Sequence, residues 1–460
     1  MMNKDLTFQF YTAKQKAIIY SIFGVFTLVF CSISLVNHYL FRTYAYDLGI
    51  YNNMLYSYSH FSWNYTPIQQ PTIANAFADH LEPVFILFAP LYWIFGSYTL
   101  LLIQIALLVF GGVGILHFSR LYSKNNTISI FALVQFFGMW GVYSALAFDF
   151  HNNVTAAMLV PWILLFALQK NIKPLLACWA MVLLSKENMA LYGIFICLGL
   201  VIHFYNDRQL RKLFFILFLV SGAYFVFVVK IFIPLFQDPG MTYLYKGMYK
   251  ALGETPKDFV LNLINRPEYI FSLLFENYSN EQIYNGIKSE LHFSVLLSGG
   301  IFLFFKPQFL VMLIPIFAQK LFNSDAARWG INYHYSIEFV PVLVIASITF
   351  ISDWNKTEKF KVRAAACVAL VTFIYTIKKI DRRVSIWYDK TNTAFFLQRH
   401  YKQENHIKVI RNEMKKLPIN NTDAISAQDN LVPHLANRKY IYMYPYTDLA
   451  EYIILAPKTG

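Results

Sequence analysis

The chain has 460 residues, of which 57% are hydrophobic, 18% aromatic and only 14% charged. A soluble domain usually carries about a quarter charged residues, so this composition excludes an ordinary soluble protein. The formal net charge of +13 does not indicate nucleic acid, because the basic residues form short clusters between long apolar blocks. That pattern is typical of cytoplasmic loops that face anionic lipid headgroups. We predict a polytopic membrane protein that has the lipid bilayer as a partner. We predict no nucleic-acid partner.

Apolar blocks along residues 1–380 predict an all-α polytopic fold with about eleven transmembrane helices. The first block comes after Lys14 and Lys16, and lysines before a first span favour a cytoplasmic N-terminus. That block is long and lacks a small-residue cleavage pattern, so we expect an anchor and not a cleaved signal peptide. The predicted spans are residues 17–36, 98–118, 128–146, 154–168, 174–184, 189–204, 214–232, a span ending at 306, a span reaching 322, 336–351 and 364–377.

Basic residues divide unequally between the two sides of this predicted membrane domain. The cytoplasmic span ends collect Lys and Arg, while the short outer loops hold only Lys186 and Arg328. Longer outer loops are predicted at residues 38–97 and 233–291. The distribution predicts a multi-pass protein of the inner (cytoplasmic) membrane, with a cytoplasmic N-terminus and any active site facing outward.

Residues 381–460 differ in character from the apolar region. They contain a charged helical segment at residues 403–416 and strand-like runs at residues 439–444 and 451–456. The last predicted span is basic at both ends, so parity alone places the C-terminal region on the outer side. We expect a small soluble α/β domain in the periplasmic or extracytoplasmic space.

The stretch at residues 44–59 carries a single carboxylate, Asp47, directly after the first span. Its apolar spacing of three and four predicts an amphipathic helix that lies on the membrane surface and exposes Asp47 above the bilayer. An acidic side chain among tyrosines at a membrane mouth is a candidate general base. The alternative is that Asp47 only caps the helix. The apolar stripe consists of Leu48, Tyr51, Leu55 and Tyr58.

Other ionisable residues cluster on the same predicted side of the membrane. Such groups at span ends are costly unless they line a water-filled cavity, so their convergence indicates an outward-facing site. Taken singly, Asp79 and His80 could cap a helix, Asp149 and His151 could form a solvated turn, and Lys186 could reach out to the interface. The full set is Asp47, Asp79, His80, Glu82, Asp149, His151, Lys186, Glu187, Arg328, His334 and Glu338.

No motif of better-known soluble chemistry is present: the sequence has no Gly-rich phosphate loop, GxSxG, HExxH or CxxC pair. The four cysteines lie inside predicted spans, so we expect neither a disulfide framework nor a metal site from them. His80, His151 and His334 lie in three separate loops, and no spacing supports a metal site. No cofactor is therefore assigned, and the sequence leaves open whether a divalent metal ion takes part.

Several segments resemble the C-type (GT-C) glycosyltransferases, membrane enzymes that take a sugar from a polyprenyl-phosphate carrier. The matching pieces are YDLGIYNNML, HLEPVFILFAPLYWIFG and LLSKENMALYG. More closely, the chain resembles the bacterial integral membrane family domain of unknown function 2079, through YDLGIYNNML, HLEPVFILFAPLY, FDFHNN, SKEN, NYHYS and ISAQDNLVPHLANR. The first loop departs from many C-type enzymes in carrying one acidic residue where they carry a close acidic pair.

The resemblance implies a glycosyltransferase that moves a sugar to a cell-envelope glycan, lipid or protein acceptor. Asp47 would be the general base, and Lys186, Arg328 and His334 would hold the donor phosphate. One displacement with one base predicts inversion at the anomeric carbon. Aromatic residues that suit stacking on sugars are Tyr44, Tyr46, Tyr51, Trp63 and Trp329. Residues expected to contact the substrate or tune Asp47 are Tyr46, Tyr51, His80, Glu82, Asp149, His151, Glu187, Asn188 and Glu338.

Two other functions fit the same outward cavity. A transporter or flippase of a lipid-linked or polar envelope precursor would use a discontinuous segment such as SKEN, although the sequence has no detectable repeat with a second broken helix. A non-catalytic envelope assembly factor would bind its partner through the C-terminal domain. An enzyme needs Asp47, whereas a scaffold would tolerate Asp47→Asn.

Overall fold

The computed structural model describes residues 10–68, 75–237, 244–279 and 281–456. The predicted loops 38–97 and 233–291 and the predicted domain 381–460 each include residues outside this description. The fold is mostly helical, with a small three-stranded sheet near the C-terminus, as the sequence predicts.

Most of the longer helices coincide with the apolar blocks of the sequence, and several of them start at a residue whose side chain caps the helix. Thr12 and Gln15 form a capping box at the first helix, while Asn125 and Asp207 cap two later ones through their side-chain oxygens. The helices are α1 (Ala13–Tyr39), α2 (Ile50–Ser59), α3 (Phe85–Phe95), α4 (Thr99–Ser123), α5 (Asn126–Phe137), α6 (Trp140–Leu146), α7 (Asn152–Leu168), α8 (Ile172–Ser185), α9 (Glu187–His203), α10 (Arg208–Phe227), α11 (Pro256–Asn265), α12 (Pro267–Ser272), α13 (Ile287–Leu297), α14 (Pro307–Leu321), α15 (Phe339–Asp353), α16 (Glu358–Asp381), α17 (Gln398–Tyr401), α18 (Asn405–Met414) and α19 (Val432–Leu435).

Several helices are long and apolar enough to cross a membrane. In the described parts of the chain these are Ala13–Tyr39, Phe85–Ser123, Arg208–Phe236 and Glu358–Asp381. The pair α5 and α6, bent by 42°, makes a fifth if it counts as one span. The shorter apolar helices α7, α8, α9, α14 and α15 are at or below about 17 residues, the lower end of the usual crossing length. The protein is thus a membrane protein with several apolar helices, and the count of eleven crossings stays a prediction.

The span predicted at residues 128–146 is broken at Gly138, between α5 and α6. A Cβ at this position would lie 2.8 Å from the Val134 carbonyl oxygen and 3.1 Å from the Phe373 ring of α16. Only glycine fits this close approach, so the bend and the neighbouring helix depend on each other.

The centre of the helical region is built around α4, α5, α7 and α15. Helix α7 is buried along nearly its whole length, and Trp140 of α6 is fully buried. The indole N–H of Trp140 donates to the Ser294 carbonyl and the Ser298 hydroxyl, at the end of α13, at 3.2 and 3.1 Å. A buried indole so satisfied fixes how α6 and α13 pack.

The C-terminal sheet is parallel and has the order β2-β1-β3. Strands β2 (Ile441–Met443) and β3 (Tyr452–Ile454) lie in the two predicted strand-like runs, and α18 lies in the predicted charged helix. The central strand β1 (Ile425–Ala427) was not predicted, because polar residues flank it on both sides and no longer apolar run marks it. We call β1 to β3 with α18 and α19 the C-terminal module.

The C-terminal module packs directly on α2. The Asn52 side-chain amide donates to the Pro433 carbonyl at 3.2 Å, and the Asn53 amide donates to the Arg438 carbonyl at 2.7 Å. A Cβ on Gly49 would lie 2.9 Å from a Val432 methyl carbon, so glycine permits this contact. Most of α2 is buried as a result. The predicted helix is present and the C-terminal module covers it, while its position along the membrane surface stays a prediction.

Candidate functional site

A cavity of about 950 Å³ lies where the segments between α1 and α3 meet the ends of α7, α9, α14 and α15. It gathers residues from parts of the chain far apart in sequence. Of the predicted site residues, Asp149 does not line it. Those that do are Tyr46, Asp47, Tyr51, His80, Glu82, His151, Lys186, Glu187, Asn188, Arg328, His334 and Glu338.

Asp47 lies in a π-helix, Ala45–Gly49, that leads into α2. Its side chain is 28% exposed, and it accepts a hydrogen bond of 3.0 Å from Nε2 of His151. The His151 ring stacks on the His334 ring, with 3.3 Å between the ring centroids. His151, itself backed by the His334 ring, therefore holds the Asp47 carboxylate in one orientation. Asp47 also lines the cavity.

The charge states of this group are set by burial and by the cations around it. Burial raises the pKa of Asp47, but His151, Lys186 and His80 lower it by more, so Asp47 is ionised at neutral pH. Burial, together with His151 and Lys186, holds the pKa of His334 well below its ordinary value. His334 is then neutral at pH 7. It can offer phosphate a hydrogen bond, but it does not supply the positive charge that the sequence led us to expect.

Asp149 lies behind the cavity wall and supports the Asp47 segment. Its carboxylate accepts a 3.0 Å hydrogen bond from the backbone N–H of Tyr44, at the start of the π-helix. Gln104 of α4 donates to the Asp149 carbonyl at 2.8 Å and accepts from the His151 N–H at 3.1 Å. Asp149 is placed to position Asp47 and His151, and its lack of cavity contact argues against direct substrate binding.

The C-terminal module supplies a second carboxylate to the same helix start. Asp429 accepts a hydrogen bond of 2.7 Å from the backbone N–H of Ala45. Asp149 and Asp429 thus satisfy successive N–H groups that have no partner within the π-helix. Sequence reasoning missed Asp429. Its one signal was the acidic residue in the ISAQDNLVPHLANR segment.

A network of acids and bases forms the opposite wall of the cavity. Nδ1 of His80 donates to Glu187 at 2.8 Å, and the Lys186 ammonium lies 3.5 Å from Glu82. Lys186 has extended backbone at the break between α8 and α9, which turns its side chain away from both helices and into the cavity. Burial lowers the pKa of His80, but Asp79 and Glu187 raise it by more. His80 therefore pairs with Glu187 in the cavity wall. The alternative that His80 only caps a helix does not explain this contact.

A third group of cavity residues, which includes two cations, comes from the loop before α15 and the end of α14. Arg328 stacks on the Tyr335 ring at 4.8 Å and lies 3.6 Å from Asp325. Lys320, on α14, lines the cavity although sequence reasoning did not select it. Its signal was a lysine inside an apolar block that is otherwise free of charge.

Of the aromatic residues expected to stack on a sugar, some line the cavity and others do not. Tyr46 and Tyr51 line the cavity. Trp329 is fully buried, and its indole N–H donates to the Asn323 carbonyl at 2.6 Å, so the prediction that it stacks on a ligand is wrong. Tyr44 and Trp63 are exposed and do not line the cavity.

One side of the cavity is apolar and partly open. Ile314 on this side is 44% exposed. A charged end beside an apolar wall is the arrangement that an amphipathic ligand requires. The apolar lining residues are Leu191, Phe195, Phe225, Val229, Ile314 and Pro315.

A metal ion held by the protein alone needs several His, Cys, Asp or Glu side chains close together. Among the residues that the structure describes, no three His, Cys, Asp or Glu side chains are grouped so that they could hold a metal ion. A divalent metal ion, which the sequence left open, stays open.

The fold and this cavity define an integral membrane protein in which acidic and basic side chains converge beside an apolar wall. A family model described as "Predicted membrane protein (DUF2079)" matches residues 37–456. The chain belongs to this family, as its sequence motifs predicted. No curated protein matches the chain.

Proposed function

We propose that this protein is a membrane glycosyltransferase that moves a sugar from a polyprenyl-phosphate carrier to a cell-envelope glycan, lipid or protein acceptor. What supports the proposal is that one cavity combines three features. It holds an ionised carboxylate, Asp47, bound to His151; it holds the cations Lys186 and Arg328; and it has an apolar wall. These match an acceptor hydroxyl, a departing phosphate and a lipid chain, respectively.

The proposed reaction is a single displacement at the anomeric carbon. The acceptor hydroxyl oxygen attacks that carbon while Asp47 takes the hydroxyl proton. The bond from the anomeric carbon to the phosphate oxygen breaks, and its electron pair remains on the phosphate. Lys186 and Arg328 stabilise the charge that develops there. One displacement inverts the configuration of the sugar carbon.

Incubation of the purified protein with a panel of polyprenyl-phosphate sugars tests the proposal directly. We expect release of polyprenyl phosphate from one member of the panel when an acceptor preparation from the cell envelope is present. Asp47→Asn protein should release it at least about 100-fold more slowly. If no donor binds or turns over, or if both proteins act equally, the proposal is wrong.

The proposed topology has eleven crossings of the inner membrane, with the N-terminus in the cytoplasm and the cavity and C-terminal module outside. In a background without native cysteines, we expect Ser62→Cys and Asn421→Cys to react with a membrane-impermeant thiol reagent in intact cells. Both positions are exposed. Lys356→Cys, between α15 and α16, is the control and should react only after lysis. Labelling of Asn421→Cys only after lysis would reverse the side of the C-terminal module.

Arg328→Lys tests phosphate recognition. An ammonium group cannot offer the planar fork of a guanidinium, so it should bind phosphate less well even though the charge is kept. We expect the donor KM to rise about tenfold, the usual scale for one lost hydrogen bond to a charged group. Arg266→Lys, on an exposed arginine of the outer loop, is the matched control and should change nothing. An unchanged donor KM for Arg328→Lys would leave Arg328 a loop anchor that packs on Tyr335.

The pH dependence of the proposed reaction is set by the environment of Asp47. In the free protein its pKa is below the ordinary value, because the lowering by His151, Lys186 and His80 exceeds the raising by burial. A bound phosphate adds a negative charge nearby and raises that pKa. The acid limb of kcat/KM reports the free protein, and that of kcat reports the complex. We expect the limb of kcat to lie at higher pH, and coincident limbs would contradict phosphate binding beside Asp47.

The break between α8 and α9 at Lys186 is the observation that favours the transporter or flippase. Such a protein would move its substrate without cleaving the bond to phosphate. Recovery of intact sugar-phosphate carrier after incubation with acceptor, together with its movement across reconstituted vesicles, would support that function over the enzyme.

A further inference from the structure

Three polar side chains form a group on the α7–α14–α15 side of the cavity. Asn153 belongs to α7, Lys320 to α14, and Glu338 immediately precedes α15. All three are almost completely buried and all three line the cavity. The proposed reaction assigns Lys320 and Asn153 no role.

The group leaves polar atoms unsatisfied. One Glu338 oxygen, Oε1, accepts from the Asn153 amide at 2.6 Å. The other oxygen, Oε2, the Asn153 carbonyl oxygen Oδ1 and the Lys320 ammonium have no hydrogen-bond partner among the residues that the structure describes. Buried polar atoms in native proteins nearly always have a hydrogen-bond partner. These three therefore indicate a place for polar groups of a ligand or for water.

The chemistry of the free atoms selects the class of ligand. The site offers a side-chain nitrogen at Lys320 that can donate, and oxygens at Glu338 and Asn153 that can accept. A hydroxyl group both donates and accepts, so neighbouring hydroxyls on one ring can satisfy Glu338, Asn153 and Lys320 together. The site suits an uncharged polyhydroxyl ligand.

The position of the group agrees with this class. Lys320 and Arg328 both act electrostatically on His334, whose ring stacks on the His151 that binds Asp47. The Tyr192 hydroxyl donates to the Glu338 carbonyl at 3.2 Å and fixes the start of α15. The unsatisfied atoms thus lie on rigid helices within reach of the phosphate-binding and base residues.

We infer that Asn153, Lys320 and Glu338 form a subsite that binds hydroxyl groups of the transferred sugar and selects the glycosylated carrier over the bare one. This inference rests on the proposed function. It assigns Lys320 and Glu338 to sugar recognition and leaves the phosphate to Lys186 and Arg328.

The test measures binding without turnover. Purified protein in detergent is titrated with bare polyprenyl phosphate and with the same carrier bearing glucose, mannose, galactose, N-acetylglucosamine or arabinose. We expect wild-type protein to bind at least one glycosylated carrier about ten- to a hundredfold more tightly than the bare carrier, the scale of one or two hydrogen bonds to charged groups. Lys320→Met and Glu338→Gln should each remove most of this preference while changing bare-carrier affinity less than about twofold.

Bare-carrier binding also serves as the check that each variant is folded. Lys402→Met and Glu268→Gln, on exposed residues that do not line the cavity, are matched controls and should retain the preference. If the bare carrier binds but no sugar adds affinity, or if both variants keep the preference, the subsite is wrong and the proposed function stands. If neither form of carrier binds wild-type protein, both are wrong. Should one variant fail to fold, the other decides alone.

Discussion

Asp47→Asn is expected to lower kcat by about 10²- to 10⁴-fold while donor binding and the fold remain nearly intact, since this is the usual contribution of positioned proton transfer. Asparagine keeps the size of the side chain and an oxygen that can accept from His151. What it loses is the ability to take a proton from the acceptor hydroxyl. Single-turnover rates at saturating donor give the measurement.

The competing explanation for Asp47 predicts a much smaller effect. A helix cap replaced by Asn would cost at most about 1 kcal/mol of stability. The structure also gives the cap position of the π-helix to Tyr44, and Asp47 lies inside the first turn. Asp448→Asn, on an exposed aspartate near the C-terminal sheet, is the control. A folded Asp47→Asn protein that keeps more than about a tenth of the activity would show that Asp47 is not the base.

Sequence alone predicted the helical framework well, because apolar blocks of the chain have no alternative to helices in a bilayer. The predicted span at residues 154–168 lies within α7, and the predicted span at 364–377 lies within α16. The same reasoning could not fix the number of crossings. A helix such as α8 is apolar but short, and length does not distinguish a crossing from a buried or re-entrant segment.

The site was predicted where polar residues interrupt apolar sequence. Asp47, His151 and Lys186 stand out for this reason, and the structure brings them to one cavity. Trp329 was misjudged because a loop tryptophan gives no sign in the sequence of whether its ring is buried. Asp429 could not be found, because its contact with Ala45 joins segments 384 residues apart. Neither local residue spacing nor charge pattern predicts a contact between segments so far apart in the sequence.

The second large effect is expected from Asp429→Ala, which should lower kcat on the order of 10²-fold with the donor KM unchanged. Asp429 does not line the cavity, but its hydrogen bond to the Ala45 N–H fixes the π-helix that carries Asp47. A misplacement of about 1 Å in a catalytic group costs roughly this factor. Because Lys186 and Arg328 lie on other elements, phosphate binding should not change.

The split between kcat and KM distinguishes positioning from general damage to the fold. Asp429→Asn keeps an oxygen that can accept from Ala45, so it should restore much of the rate, with a loss below about tenfold because only the charge assistance is removed. Asp448→Ala is the matched control in the same part of the chain. If Asp429→Ala raises the donor KM as much as it lowers kcat, or if Asp429→Asn is no better than Ala, the module does not act by positioning Asp47. In either case its contact with α2 would serve only to hold the C-terminal module on the helical region.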